Sequence, residues 1–454
     1  MTDLTGLTAT ELSELYSTGT VSPVTVAHQV LAKIKRLNPV LNAFCFTDPD
    51  TTLAQAKASE TRWQQSQPLS NIDGVPVAVK DSILTQGWPT LHASRAVDPD
   101  QLWTEDAPAV ARLREAGAVF VGKTTMSEFG STANHSNSLL YGDVYNPWNR
   151  SHTPGGSSGG SAVAVSAGMV PVALGTEFSG SIAVPSAFCG VFGMKPSIGR
   201  IPQWPVDPLE LTVVGPMARS TADLEMIMNI ITRPDVRDGT SLPYNNINYH
   251  SNNKILLLGK KIACVKSISG FVIDPEIVES IEKIVDYLLA QGAQVDFINV
   301  DIESAMKIFF ELPLPLRVKQ WSDIPKQNRH LAGREIQRRA ILAHKSNNTY
   351  NQLTDRQLLI TQTRKVMQSY DALLGPATVI NSGRQSTTTE NISPLSTFLC
   401  LTKQPGITIP IGLDHVGMPQ SVMITSNMHD DVGVLQISQL IQQHFSMPHP
   451  PLFY

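Results

Sequence analysis

The chain has 454 residues, 42% of them hydrophobic and 16% charged, with 35 basic against 39 acidic side chains and a net charge of −4. This is the composition of a folded globular protein; it excludes a disordered or fibrous chain, and without a Lys/Arg stripe it gives nucleic acid no track to follow. No basic leader with an apolar core is present, and Ser161 to Leu174 falls short of the ~18 apolar residues of a membrane span, so a cytoplasmic protein with no membrane partner is expected.

Ser22 placed to cap and Pro23 at the first helical position precede apolar residues at Ala27, Val30, Leu31, Ile34 and Leu37, which predicts an amphipathic helix. Val75 to Val79 reads as a strand. A helix over Asp106 to Glu115 is stopped by Gly117, and Ala118 to Val121 follows as a buried strand. Met169 to Leu174 is a further strand. Between about Arg233 and Lys254 the sequence becomes polar and loop-like, a surface excursion.

Asp274-Pro275 repeats the cap grammar before Ile277, Ile281, Ile284, Val285, Leu288 and Leu289, with Gly292 as stop and Val295 to Val300 as strand. Met306 to Ser346 is helical in composition. Strands at Ala372 to Leu374, Ile407 to Ile411 and Ser421 to Thr425 and a last helix over about Val432 to His444 complete the order. Alternating helices and strands predict an α/β fold with one domain over 1–454. Cys45, Cys189, Cys264 and Cys400 lack CxxC spacing and read as buried thiols in a reducing compartment.

Two glycine-serine clusters, Pro154-Gly-Gly-Ser-Ser-Gly-Gly-Ser161 and Gly175-Thr-Glu-Phe-Ser-Gly-Ser-Ile182, flank packed elements. Glycines there expose backbone amides or permit tight chain crossings. Together with Gly74-Val-Pro-Val-Ala-Val-Lys80-Asp81, Gly122-Lys-Thr-Thr-Met-Ser-Glu128-Phe129, Asn146-Pro-Trp148, Gly193-Met-Lys-Pro196 and Gly215-Pro-Met-Ala-Arg-Ser220, they resemble the amidase signature family, in order, from about Leu4 to the end.

The resemblance implies a mixed central β-sheet sandwiched between helical layers, a signature core over about 70–225 and a more variable substrate-side region over about 226–400. It also implies a Ser-Ser-Lys triad: Ser181 as nucleophile, Ser157 as proton relay after a cis Gly156–Ser157 peptide, and Lys80 as general base. The chemistry of these residue types agrees. A serine hydroxyl needs a neighbouring base, and lysine is a base only when neutral, so the apolar strand leading into Lys80 predicts a depressed pKa. An isolated strand-end lysine would instead pair with Asp81.

The oxyanion formed by attack needs donors aimed at it, for which the backbone N–H groups of Phe178, Ser179, Gly180 and Ser181 are candidates. Ser158 and Ser161 are expected to support the loop or start the following helix. Where the family usually has Gly-Thr-Asp-x-Gly-Gly-Ser-Ile-Arg, this chain has Glu177 for aspartate, Ser179 for the first paired glycine and Ala183 for arginine. Losing that cation disfavours an acidic substrate, and Glu177 has to find another partner.

Three competing patterns are weak. Gly117-Ala-Val-Phe-Val-Gly122-Lys123-Thr124 fits GxxxxGK[ST] but has a strand core where a phosphate loop needs a turn. Gly156-Ser-Ser-Gly-Gly160 fits GxSxG, which would recruit Ser158 with Asp414 and His415, but no strand precedes it. The histidines, His429-Asp430-Asp431 included, form no metal motif, and Glu128 is expected to pack or orient.

The expected activity is hydrolysis of a carboxamide, anilide or carbamate through an acyl-enzyme, without cofactor or metal and with esterase side activity. The expected partner is that small-molecule substrate, with a homodimer as the macromolecular option. The alternatives are the amidase subunit of a glutamine-dependent amidotransferase, supplying ammonia to a partner, and a non-catalytic binding protein of the same fold.

Overall fold

A computed structural model describes residues 3–243, 247–250, 257–343, 349–383 and 392–453. Its strands are β1 (Phe44–Thr47), β2 (Pro76–Lys80), β3 (Val119–Thr124), β4 (Asn137–Ser138), β5 (Gly142–Asp143), β6 (Val172–Glu177), β7 (Phe192–Lys195), β8 (Val213–Ala218), β9 (Lys261–Cys264), β10 (Gln294–Phe297), β11 (Ala372–Pro376), β12 (Gly406–Leu413) and β13 (Pro419–Ser426). All but the β4–β5 hairpin join one sheet in the order β1-β3-β2-β6-β8-β7-β12-β13-β11-β9-β10. Pairing is parallel for β3-β2-β6 and for β11-β9-β10, and antiparallel elsewhere.

Successive side chains of a strand point to opposite faces, and the two large apolar clusters divide along that alternation. Ile262 and Cys264 of β9 enter one cluster while Ala263 and Val265 enter the other; Ala372 and Leu374 of β11 likewise separate from Leu373. The mixed sheet therefore lies between two helical layers, as the sequence led us to expect.

Cap chemistry places the helices. Ser22 accepts from the Val24 N–H and opens Pro23–Leu41, Asp274 accepts from Glu276 and opens Pro275–Ala290, and Asp430 accepts from Gly433 to open Asp431–His444. The polar stretch 233–254 holds no regular element among its described residues. Strands β1, β7 and β8 and the helices Pro49–Gln64, Thr221–Ile231 and Pro394–Thr402 go beyond what periodicity suggested. The cysteines are free, with Cys45 half-buried and the other three buried. Among the described residues no helix is long and apolar enough to cross a membrane.

Candidate active site

Strand β2 runs as a fully buried apolar segment and ends on Lys80, whose side chain has no exposure. Its parallel neighbour β6 pairs Val79 with Leu174, so the residues just beyond, Gly175 to Glu177, emerge beside Lys80. Gly175 leaves room there: a Cβ at this position would stand 3.0 Å from Ser158 Oγ. The loop carrying Ser157 leads into the buried helix Gly159–Ser166, which lies so close to the sheet that a Cβ on Gly160 would come within 2.4 Å of the Thr125 carbonyl.

Around Lys80 Nζ stand three hydroxyls: Ser157 Oγ at 2.7 Å, Ser158 Oγ at 2.8 Å and Thr176 Oγ1 at 2.7 Å. Burial pulls the ammonium pKa from 10.5 down to about 7, partly offset by the negative charge of Glu177. Asp81 is not its partner. That carboxylate accepts the N–H groups of Leu91 and Ala93, and burial raises its pKa to about 6.

A neutral amine has two N–H donors and one lone pair, so among three hydroxyl neighbours one has to donate back. Ser158 already donates to the Thr176 carbonyl at 3.3 Å. Ser157 has no such acceptor among the described residues, which leaves its proton available to Lys80. The Gly156–Ser157 peptide is cis. Two donors, the Ser127 N–H and Ser136 Oγ, hold the Ser157 carbonyl, both at 3.3 Å.

The Ser158 N–H donates to the Ser181 carbonyl at 3.1 Å and ties the two serine loops together. Ser181 retains 6% exposure, against 2% for Ser157, and its hydroxyl makes no hydrogen bond among the described residues. Glu177 is fully buried and folds back over the nucleophile loop. Its Oε1 accepts from the N–H groups of Phe178 at 3.0 Å, Ser181 at 2.7 Å and Gly180. Its Oε2 accepts from Ile182 at 2.7 Å and Ala183 at 3.0 Å. Of the four amides expected to bind an oxyanion, Ser179 alone does not donate to this carboxylate.

The structure brings Ser157, Ser158 and Thr176 to Lys80 Nζ and lays Glu177 over the nucleophile loop, while the Ser181 hydroxyl makes no hydrogen bond to Ser157 or Lys80 among the described residues. Thr176 could be suspected from its place in Gly175-Thr-Glu177, but a contact spanning 96 residues has no local signal. Ser158 sits just ahead of the helix without capping it by its side chain; its hydroxyl serves Lys80 instead. Ser161 bonds the Thr124 hydroxyl and the Leu174 carbonyl. Glu128 accepts from Ser94 Oγ and the Gly333 N–H, an orienting role between distant segments. His415 pairs with Glu276 on the turn between β12 and β13, away from Ser158. No group of three metal-binding side chains occurs among the described residues.

Ala183 opens the helix Ala183–Cys189 inside the apolar cluster of Val184, Phe188 and Leu395. Phe178 packs on Phe309 at 5.7 Å between ring centroids. The ground next to Ser181 is therefore apolar on this side.

Among solved structures, a bacterial aryl acylamidase of the amidase signature enzymes matches with a TM-score of 0.87 at 24% identity, covering 96% of both chains. The peptide amidase of Stenotrophomonas maltophilia matches at 0.85 and 24%, covering 98% of both. Among curated relatives, the A subunit of glutamyl-tRNA(Gln) amidotransferase from Chloroflexus aurantiacus is 41% identical over 55% of this chain, and that match spans about half the relative's length, 51%. The protein of the same name from Myxococcus xanthus is 30% identical over 97% of this chain and 97% of its own. The Amidase family model matches residues 25–435. The chain accordingly belongs to the amidase family.

Proposed function

We propose that the protein hydrolyses the C–N bond of an uncharged carboxamide, anilide or carbamate through an acyl-enzyme on Ser181. The observation that carries this reading is a buried lysine with a pKa of about 7 held 2.7 Å from Ser157. Neutral Lys80 takes the Ser157 proton as Ser157 takes that of Ser181, and Ser181 Oγ attacks the carbonyl. Backbone amides of the loop 178–181 receive the oxyanion. The relay then runs backwards to protonate the leaving amine, and water releases the acyl group by the same route. Ala183, Phe178 and Phe309 favour an apolar acyl group.

A second reading is favoured by the relatives' names. The full-length matches at about 30% identity carry the name of the A subunit of glutamyl-tRNA(Gln) amidotransferase, which points to glutamine as the amide and to a partner that receives the ammonia. Against it, Ala183 supplies no cation for the glutamine carboxylate. One experiment separates the two: product release by the purified chain from glutamine and from a matched primary amide, anilide, aryl carbamate and ester, with Ser181→Ala as control. Turnover of the neutral amides without glutamine supports the first reading, glutaminase activity supports the second, and activity surviving in Ser181→Ala defeats both.

A further inference from the structure

An oxyanion hole is a set of N–H donors converging on one point where negative charge develops. In this protein such a point is already filled. The N–H groups of Phe178, Gly180 and Ser181 converge on one carboxylate oxygen, Glu177 Oε1, while Ile182 and Ala183 hold the other. We propose that Glu177 is an internal occupant of the oxyanion hole, whose carboxylate oxygen the developing oxyanion displaces, making Glu177 a positioning residue for the reaction. The proposal rests on the reading of Ser181 as nucleophile.

Three physical points support it. First, Glu177 makes no ion pair with a side chain among the described residues, and the hydrogen bonds to its buried carboxylate all come from backbone amides, as those to an oxyanion would. Second, a carboxylate oxygen and a tetrahedral oxyanion are both anionic acceptors, and each N–H can serve only one of them well, so the two compete directly. Third, the length of the side chain decides how far it reaches. The aspartate of the resembling motif is one methylene shorter and reaches less far along the loop. The Ser179 N–H, which does not donate to Glu177, is then the first donor to meet an incoming carbonyl.

The test uses the full chain and phenylboronic acid, a mimic of the tetrahedral anion. Ser181 Oγ forms an O–B bond and loses its proton through Ser157 to Lys80; boron gains a fourth bond and the negative charge, and no bond to boron breaks. Binding is measured for wild type, Glu177→Asp, Glu177→Gln and Ser181→Ala. The expected result is at least tenfold tighter binding in a Glu177 variant and none in Ser181→Ala. Binding that needs Ser181 but is unchanged or weaker in both Glu177 variants overturns the proposal alone, whereas binding that survives Ser181→Ala overturns the nucleophile reading and this proposal with it. A crystal structure of the wild-type adduct gives a readout free of variants. Glu177 withdrawn from the amides of Phe178, Gly180 and Ser181 supports the proposal, and Glu177 still seated on them refutes it.

Discussion

Two lysines are buried side by side in the sheet, and they are built for different ends. Lys80 ends β2 and Lys123 lies in β3 opposite Val79, so the two side chains leave opposite faces of the sheet. Burial lowers both pKa values, to about 7 for Lys80 and about 8 for Lys123. The partners differ. Lys123 Nζ donates to the Ile83 carbonyl at 2.5 Å and to Thr90 at 2.8 Å, with the charge of Asp81 nearby favouring the ammonium. A carbonyl can only accept, which fixes Lys123 as a donor. Lys80 sees hydroxyls alone, and among them Ser157 keeps a proton to give back. Burial weakens the ammonium; the partner set decides whether the neutral amine has a proton to take.

The widest separation is expected on removing each amine. Lys80→Met lowers kcat by about 10²- to 10⁴-fold, the usual range for a general base, without lowering the thermal midpoint. Lys123→Met reverses the pattern. It leaves the Ile83 carbonyl and Thr90 without their donor and Asp81 without its nearby cation, and costs about 1–3 kcal/mol of stability, while kcat of the folded fraction stays within about tenfold. Anilide turnover beside thermal denaturation checks both, and equal losses in both readouts for both variants would dissolve the distinction.

The pH profile is the next largest effect. A base whose conjugate acid has a pKa of about 7 is mostly protonated below that pH, so kcat/KM rises about tenfold per unit there and levels off above. Glu177 favours the ammonium, so Glu177→Gln is expected to move the break to lower pH. A break that stays in place would detach Glu177 from Lys80.

How much of this could be read beforehand follows the same division. The run Val75 to Val79 announced both a buried strand and an unusual lysine at its end, because local apolarity is a property of the sequence. The caps at Ser22 and Asp274 were equally local. Strand β8 and the helix Pro49–Gln64 were not visible: the first carries Gly215 and Pro216, and the second is mostly polar, with its few apolar positions set by what packs on them. The site divides in the same way. Glu177 was visible as a departure, but its five amide partners depend on how the loop curls, and the approach of Thr176 to Lys80 depends on strand register.

Those register-dependent hydroxyls give a smaller, sharper test. Thr176→Val and Ser158→Ala each remove one hydrogen bond to Lys80, worth about 1 kcal/mol, so each lowers kcat about fivefold with little change in KM. Ser157→Ala removes the proton itself and falls with the larger losses. A Thr176→Val loss as great as that of Ser157→Ala would make Thr176 the relay.

A final test concerns stability and probes the depressed pKa without any substrate. Lys80 has an ordinary pKa of 10.5 when unfolded and about 7 when folded. Below pH 7 both states carry the proton, and the folded state bears the full penalty of a buried ammonium. Between about 7 and 10.5 the unfolded chain binds more protons than the folded one, so this group makes stability rise with pH across that window. Lys80→Met removes the term. The difference in thermal midpoint, variant minus wild type, is therefore greatest below pH 7 and shrinks toward pH 10.5. The Lys123→Met difference changes in the same direction over a window that opens later, at about 8. If the Lys80→Met difference were flat from pH 6 to 10, the amine would be an ordinary ammonium at neutral pH, and its distinction from Lys123 would rest on hydrogen-bond geometry alone.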